Sequence, residues 1–321
     1  IGGVCSNEIS IEHFDPGKVL RNFIHYVVPY NPSPFMLYFP RKNTHTEGSL
    51  ATTTARTTYH MNKTIPQSQP ALLTKQLMRK VPEVTVYFWI IKLLSTAMGE
   101  STSDYLVFHI DRYVAVVLGG VGLVVALVLQ LAVRRYIPWI YWLAVVMVAI
   151  SGTMVADVIH IVLGVPYLIS TIFFTVLLAV IFIVWYATEK TLSIHSINTL
   201  RRELFYWATV MATFALGTAV GDLTAATFGL GYFTSGVLFA ILFAIPALAY
   251  WLFRINAIFA FWFAYIMTRP FGASFADWFG KPIFGGLGLG DEPVVIVLTF
   301  FIIVLVGYVS ITHVDIKSEQ R

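Results

Sequence analysis

One spacing recurs four times along the chain: Trp, nine residues, Gly, four residues, Asp. It runs through Trp89, Gly99 and Asp104; Trp142, Gly152 and Asp157; Trp207, Gly217 and Asp222; and Trp262, Gly272 and Asp277. An aromatic residue stands before each Trp (Phe88, Tyr141, Tyr206, Phe261) and a small one before each Asp (Ser103, Ala156, Gly221, Ala276). Successive Trp positions are 53, 65 and 55 residues apart. Repetition at such a period implies one supersecondary unit stacked on its own copies, each burying a face it could not bury alone.

From Glu83 onward, apolar stretches long enough to cross a bilayer recur, and we place helices at about 84–106, 113–133, 138–160, 167–187, 204–227, 232–253, 256–279 and 293–313. The 321 residues are 57% hydrophobic and 12% charged, with a mean hydropathy of +0.75, which excludes a disordered chain and disfavours an ordinary soluble enzyme. The fold class expected is an all-α polytopic membrane protein, eight transmembrane helices in four parallel two-helix repeats at about 83–135, 136–190, 201–254 and 255–313. Two spans per unit give every unit the same orientation and a rotational axis along the membrane normal. Residues 1–82 hold 13 of the 38 charged residues with Thr-, Ser- and Pro-rich stretches, and read as a polar, mobile tail with Val19–Val28 at most a local element. Residues 314–321 read as a short cytoplasmic tail.

Lys and Arg set the orientation. Lys75, Arg79, Lys80, Arg134, Arg135, Lys190, Arg201, Arg202, Arg254, Lys317 and Arg321 fall on the side of the termini, whereas the opposite connectors hold only Arg112 and Lys281. The positive-inside bias places both termini in the cytoplasm. Scattered basic residues form no stripe for nucleic acid, and the lone Cys5 can neither close an intrachain disulfide nor build a thiolate cluster. The sequence sets no oligomeric state.

With Trp89, Trp142, Trp207 and Trp262 and their Gly and Asp companions in view, the stretch from Val81 to His313 resembles a bacterial family of integral membrane proteins. That family is built from four tandem repeats of unknown function, each with two transmembrane helices and a characteristic Trp. The resemblance implies the fold and carries no substrate.

Each Asp lies fifteen residues after its Trp, about 22 Å along a helix and roughly 60° around it, so one broad face can hold both and the carboxylates can converge. Carboxylates in hydrocarbon are expensive and need a wet cavity, a basic partner, a proton or a bound cation. Asp104, Asp157, Asp222 and Asp277, with Glu100 one turn before Asp104, make a candidate hard-oxygen site for Mg²⁺, Mn²⁺, Ca²⁺ or protons rather than Cu⁺. The competing account is architectural: an Asp beside Gly, Ser or Ala near a helix end can cap a turn or fasten two helices. Gly99, Gly152, Gly217 and Gly272 read as close-packing positions, and the four Trp as packing residues or interface anchors.

Lys92 and Arg269 fall inside predicted spans, each eight residues before an acid, Glu100 and Asp277, about 80° away around an ideal helix. Any pairing is therefore expected across helices. Lys92 is expected to snorkel to the interface and Arg269, beside Pro270, to enter a cavity. His160, three residues after Asp157, reads as a hydrogen-bonded interfacial histidine, while His109 and His195 carry no motif.

No enzyme, and no cofactor, is expected. Gly286–Asp291 contains a Gly-x-Gly-Asp run, but lacks a second opposed Asp for proteolysis and the surroundings of a nucleotide loop. The expectation is a transporter of a small cation, divalent ions and proton coupling included, along a route formed by the four Asp, Glu100 and Arg269, with the lipid bilayer and the cation as partners. The alternatives are a cation channel, an anion or small-metabolite carrier centred on Arg269, and a structural or sensory membrane protein.

Overall fold

The computed structural model describes residues 79–316. The polar tail expected over 1–82, Val19–Val28 within it, lies outside the described residues up to residue 78, as do residues 317–321. Eight long α-helices and no strand occur among the described residues: α1 Val86–His109, α2 Arg112–Ala132, α3 Pro138–Asp157, α4 Tyr167–Glu189, α5 Leu200–Asp222, α6 Gly231–Phe253, α7 Ala257–Gly280 and α8 Asp291–Thr312.

Local chemistry sets the boundaries. Side chains of Thr85, Asp111, Thr199 and Asn256 accept hydrogen bonds from backbone N–H groups in the first turns of α1, α2, α5 and α7. The Thr199 cap starts α5 at Leu200, four residues before the expected edge, so the charged run Arg201–Glu203 belongs to the helix. Helix α3 opens on Pro138, which gives up an N–H that has no helical partner there. Lys190, Arg254 and His313, all left-handed, end α4, α6 and α8. A single π-helical turn follows α3 at Val158–Val162 and α5 at Leu223–Thr227.

The motif-bearing helices α1, α3, α5 and α7 form a closed circle, each packed on the next and α7 packed back on α1. The plainer helices stand outside it. The outer helix of each repeat packs most extensively not on its own motif helix but on that of the following repeat: α2 on α3, α4 on α5, α6 on α7, and α8 on α1.

The repeated residues explain the circle contact by contact. A Cβ at Gly99 would strike Ala149, one at Gly152 Phe214, one at Gly217 Arg269, and one at Gly272 Thr96. Each partner lies three residues before the glycine of the next repeat, so the four glycines make the same close approach around the circle. The aromatics cycle with them: Phe88 meets Trp142 at 5.7 Å, Tyr141 meets Trp207 at 5.7 Å, Tyr206 meets Trp262 at 6.3 Å and Phe261 meets Trp89 at 5.7 Å. All four Trp are buried, which makes them packing residues.

The outer helices turn Val117, Val121, Ile172, Ile241 and Phe300, among others, away from the protein. Among the described residues, six helices are long and apolar enough to cross a membrane: α2 to α6 and α8. Helices α1 and α7, which carry Lys92, Glu100, Asp104, Arg269 and Asp277, are adjacent members of the inner circle and so are screened by their neighbours. At the Trp end, residues 79–84 thread between connectors. Lys80 Nζ donates to Glu203 at 2.5 Å, Gln130 donates to Glu203 at 3.0 Å, and the Glu83 N–H donates to the Asp315 carbonyl at 3.0 Å.

Candidate functional site

The axis of the circle is built from one residue in every four on each motif helix: Phe88, Lys92, Thr96, Glu100 and Asp104 on α1, and the matching positions on α3, α5 and α7. Steps of four overshoot a turn by about 40°, so such a stripe meets its counterparts only if the helices are inclined, as when ridges of this spacing interlock. The residues stack in five layers. An aromatic layer at the Trp end is joined by a 2.5 Å hydrogen bond between the Tyr141 and Tyr206 hydroxyls.

The next two layers contain buried cations. Lys92 is 1% exposed, with Nζ 3.8 Å from the centroid of Phe214 and 4.5 Å from that of Tyr265. This corrects the expectation of snorkelling: Lys92 lies inside the circle, three residues into the sequence after Trp89, and its Nζ has no hydrogen-bond partner. Phe214 belongs to the helix diagonally opposite, which places the ammonium at the axis.

Arg269 is wholly buried and forms a plug rather than lining a cavity. Its guanidinium donates to Glu100 at 2.6 Å, to Thr218 at 2.7 Å, to the Thr96 carbonyl at 3.2 Å, and to the Thr153 hydroxyl. Glu100, Thr153 and Thr218 each follow a motif glycine directly. One arginine therefore bonds the equivalent position in the other three repeats, and its acid lies on another helix, as the 80° offset required.

Above the plug, the four repeated Asp form the fifth layer. Asp277 is buried, and Asp104, Asp157 and Asp222 are half-buried. Carboxylate oxygens of Glu100, Asp104 and Asp277 lie within 4.8 Å of one another, and Ser103 donates to Asp157 at 3.4 Å across the α1–α3 contact. Lys281 completes the layer. Read from sequence as a connector charge on the outer side, it instead turns inward, with Nζ 2.8 Å from Asp104 and 2.8 Å from Asp277. Burial pulls the ammonium toward neutrality, but the Asp277 and Asp104 carboxylates outweigh it and hold Lys281 well above the ordinary lysine range. Its spacing of four from Asp277 was the signal available in sequence. The corresponding residues after the other motifs are Phe108, Ile161 and Ala226.

Asp157 and Asp222 differ from the other pair. Neither makes an ion pair with a basic side chain among the described residues, and each is followed at once by a π-helical turn, a distortion common at functional sites. As built, Glu100 is committed to Arg269, and Asp104 and Asp277 to Lys281, so a metal ion using those three oxygens would have to displace the lysine.

The glycine-rich run after Lys281 folds back along α7 as a strap. Leu287, Leu289 and Gly290 donate to the carbonyls of Trp278, Phe279 and Gly280 at 2.6, 2.9 and 3.0 Å. Gly285, Gly288 and Gly290 take positive φ to make this path. His160 faces away from the acids: Nδ1 is 2.9 Å from the Val165 carbonyl and Nε2 is 3.2 Å from the Ser170 hydroxyl. His109 Nδ1 is 2.8 Å from the Tyr105 carbonyl, and His195 pairs with Glu83 at 3.5 Å. On the outer side of the α1–α7 contact lies an apolar groove of about 560 Å³ lined by Leu93, Ala97, Phe271, Phe275 and Val297.

Four stretches, residues 87–136, 140–191, 205–256 and 260–314, each match the Repeat of Unknown Function (DUF347). They span most of the chain, which belongs to that repeat family. No curated protein and no solved structure matches it.

Proposed function

We propose that this protein is an eight-span transporter of a small cation in a bacterial inner membrane, with both termini in the cytoplasm and the acidic layer facing outward. The single observation that carries the reading is convergence: carboxylate oxygens of Glu100, Asp104 and Asp277 lie within 4.8 Å of one another at one end of the circle, and Asp157 and Asp222 hold the matching positions in the other two repeats. Hard carboxylate oxygens suit Mg²⁺, Mn²⁺ or Ca²⁺, and protonation of the same groups would release the ion, coupling its movement to protons. Below that layer the axis is filled by Arg269, Phe214, Lys92 and the tyrosines, which favours a carrier that rearranges over an open channel. A carrier of anions centred on Arg269 gains no support, because that guanidinium already bonds Glu100, two threonines and a carbonyl.

A second reading has its own observation. Lys281 ties Asp104 to Asp277 and Arg269 ties Glu100 to two other helices, as fastenings of a structural or sensory membrane protein would. Uptake of divalent and monovalent cations into vesicles reconstituted with the full chain, with and without a pH gradient, separates the two. Saturable uptake lost in folded Asp222→Asn and Asp277→Asn variants supports transport. Uptake confined to an organic solute, and equal in both variants, removes the cation reading.

A further inference from the structure

The four repeats are alike in Trp, Gly and Asp but not in bases. Among the described residues one cation reaches the Asp layer within ion-pair distance, Lys281, and it spans two of the four repeated carboxylates at 2.8 Å each. We infer that Lys281 is a tethered cation that occupies the site in place of the transported ion and is displaced by it, making it the specificity-determining residue. The inference rests on the cation reading above and names what that site selects.

The selection follows from charge and tethering. The ammonium is a compact unit charge with three donors, carried by the residue that caps α7, whose backbone N–H donates to the Asp277 carbonyl at 2.8 Å. A group tethered in this way acts at an effective concentration in the millimolar range or above. A free monovalent ion exchanges one unit charge for another and must beat that concentration. A divalent ion brings twice the Coulombic attraction to the same two carboxylates and gains Asp157 and Asp222, which no base holds. The site should therefore refuse Na⁺ and K⁺ and admit a divalent ion, and admission should release the lysine.

Release is directly measurable. The full-length protein in nanodiscs is treated with an amine-reactive reagent in chelator, in MnCl₂, or in KCl of matched ionic strength. Modification of Lys281 is then read by mass spectrometry, with the other lysines as internal references. Modification should rise several-fold with Mn²⁺ and stay at the chelator level with K⁺. In binding titrations, Lys281→Met should bind Mn²⁺ about tenfold more tightly and become open to competition by K⁺. Arg112→Gln, which removes an exposed charge from the same side, should behave as wild type. Mn²⁺ binding to the wild type with unchanged Lys281 modification would overturn the inference and leave the cation reading standing. Absence of Mn²⁺ binding from both wild type and Lys281→Met would overturn both. The labelling arm uses the wild type, so it decides the matter even where Lys281→Met fails to fold.

Discussion

Arg269 of the last repeat donates to Glu100 of the first at 2.6 Å, across the contact where the circle of motif helices closes. Lys92 and Asp104 lie on the same side of that seam as Glu100, and Asp277 and Lys281 on the side of Arg269. Every departure from fourfold charge symmetry on the axis thus gathers at the α1–α7 contact, while α3 and α5 keep threonine, valine and alanine or phenylalanine at the matching positions. The repeats supply an architecture, and the seam between first and last supplies the chemistry that differs.

Breaking that pair should be costly. Glu100→Gln leaves Arg269 as a buried charge without a counter-charge, and Arg269→Gln does the reverse, each at about 3–5 kcal/mol. Replacing both by Met should recover much of the loss, since two desolvated charges disappear together. Thermal unfolding of the three variants in detergent, arranged as a double-mutant cycle, measures the coupling. Additive losses would mean that the two residues do not act as a pair.

The glycines make a second, sharper contrast. Gly152→Ala places a methyl group 2.6 Å from the Phe214 Cβ on the neighbouring helix, and overpacking of this kind costs about 1–3 kcal/mol. Gly120→Ala, in the middle of α2, meets nothing within 4 Å and should be neutral or mildly stabilising. Melting temperatures of the two variants should therefore move in different directions, or at least by clearly different amounts.

What could be read from the chain beforehand follows from what repetition constrains. Any residue needed at all four contacts, such as Gly99 or Trp142 and their copies, shows itself by recurrence, and the helix edges follow because caps and apolar runs are local. The assignment of α2 to α3 rather than to α1 was not legible, because equal units in equal orientation allow either neighbour. Lys281 and Lys92 were misplaced for a related reason. Each occurs once, and hydropathy treats a base near a helix end as a topological marker whether its stem runs outward to water or inward to an acid.

Outside the helices, Asp315 makes stability depend on pH. Burial pushes its carboxyl above the ordinary aspartate range, against the opposing effect of the Tyr136 hydroxyl, which donates to it at 2.5 Å. The folded state therefore holds this proton more tightly than the unfolded state does. The contribution is complete below the unfolded value of roughly 4 and is lost as pH rises through the raised folded value. Asp315→Asn should flatten that part of the melting-temperature profile and leave the rest unchanged. A profile of the same shape in the variant would assign the pH dependence to other groups.

The four repeated Asp should separate into two pairs when stability and cation binding are measured together. Asp104→Asn with Asp277→Asn strips Lys281 of both partners and leaves a half-buried ammonium facing the Tyr232 ring at 5.8 Å, so the melting temperature should fall. Asp157→Asn with Asp222→Asn removes two carboxylates that no base holds and relieves repulsion within the layer, so the melting temperature should hold or rise. A loss of divalent-ion binding in this second double variant, beside undiminished stability, is the pattern expected where charge is kept for function at a cost to the fold. Equal destabilisation by both double variants, with cation binding unmoved, would make all four residues fastenings and return the Asp layer to architecture.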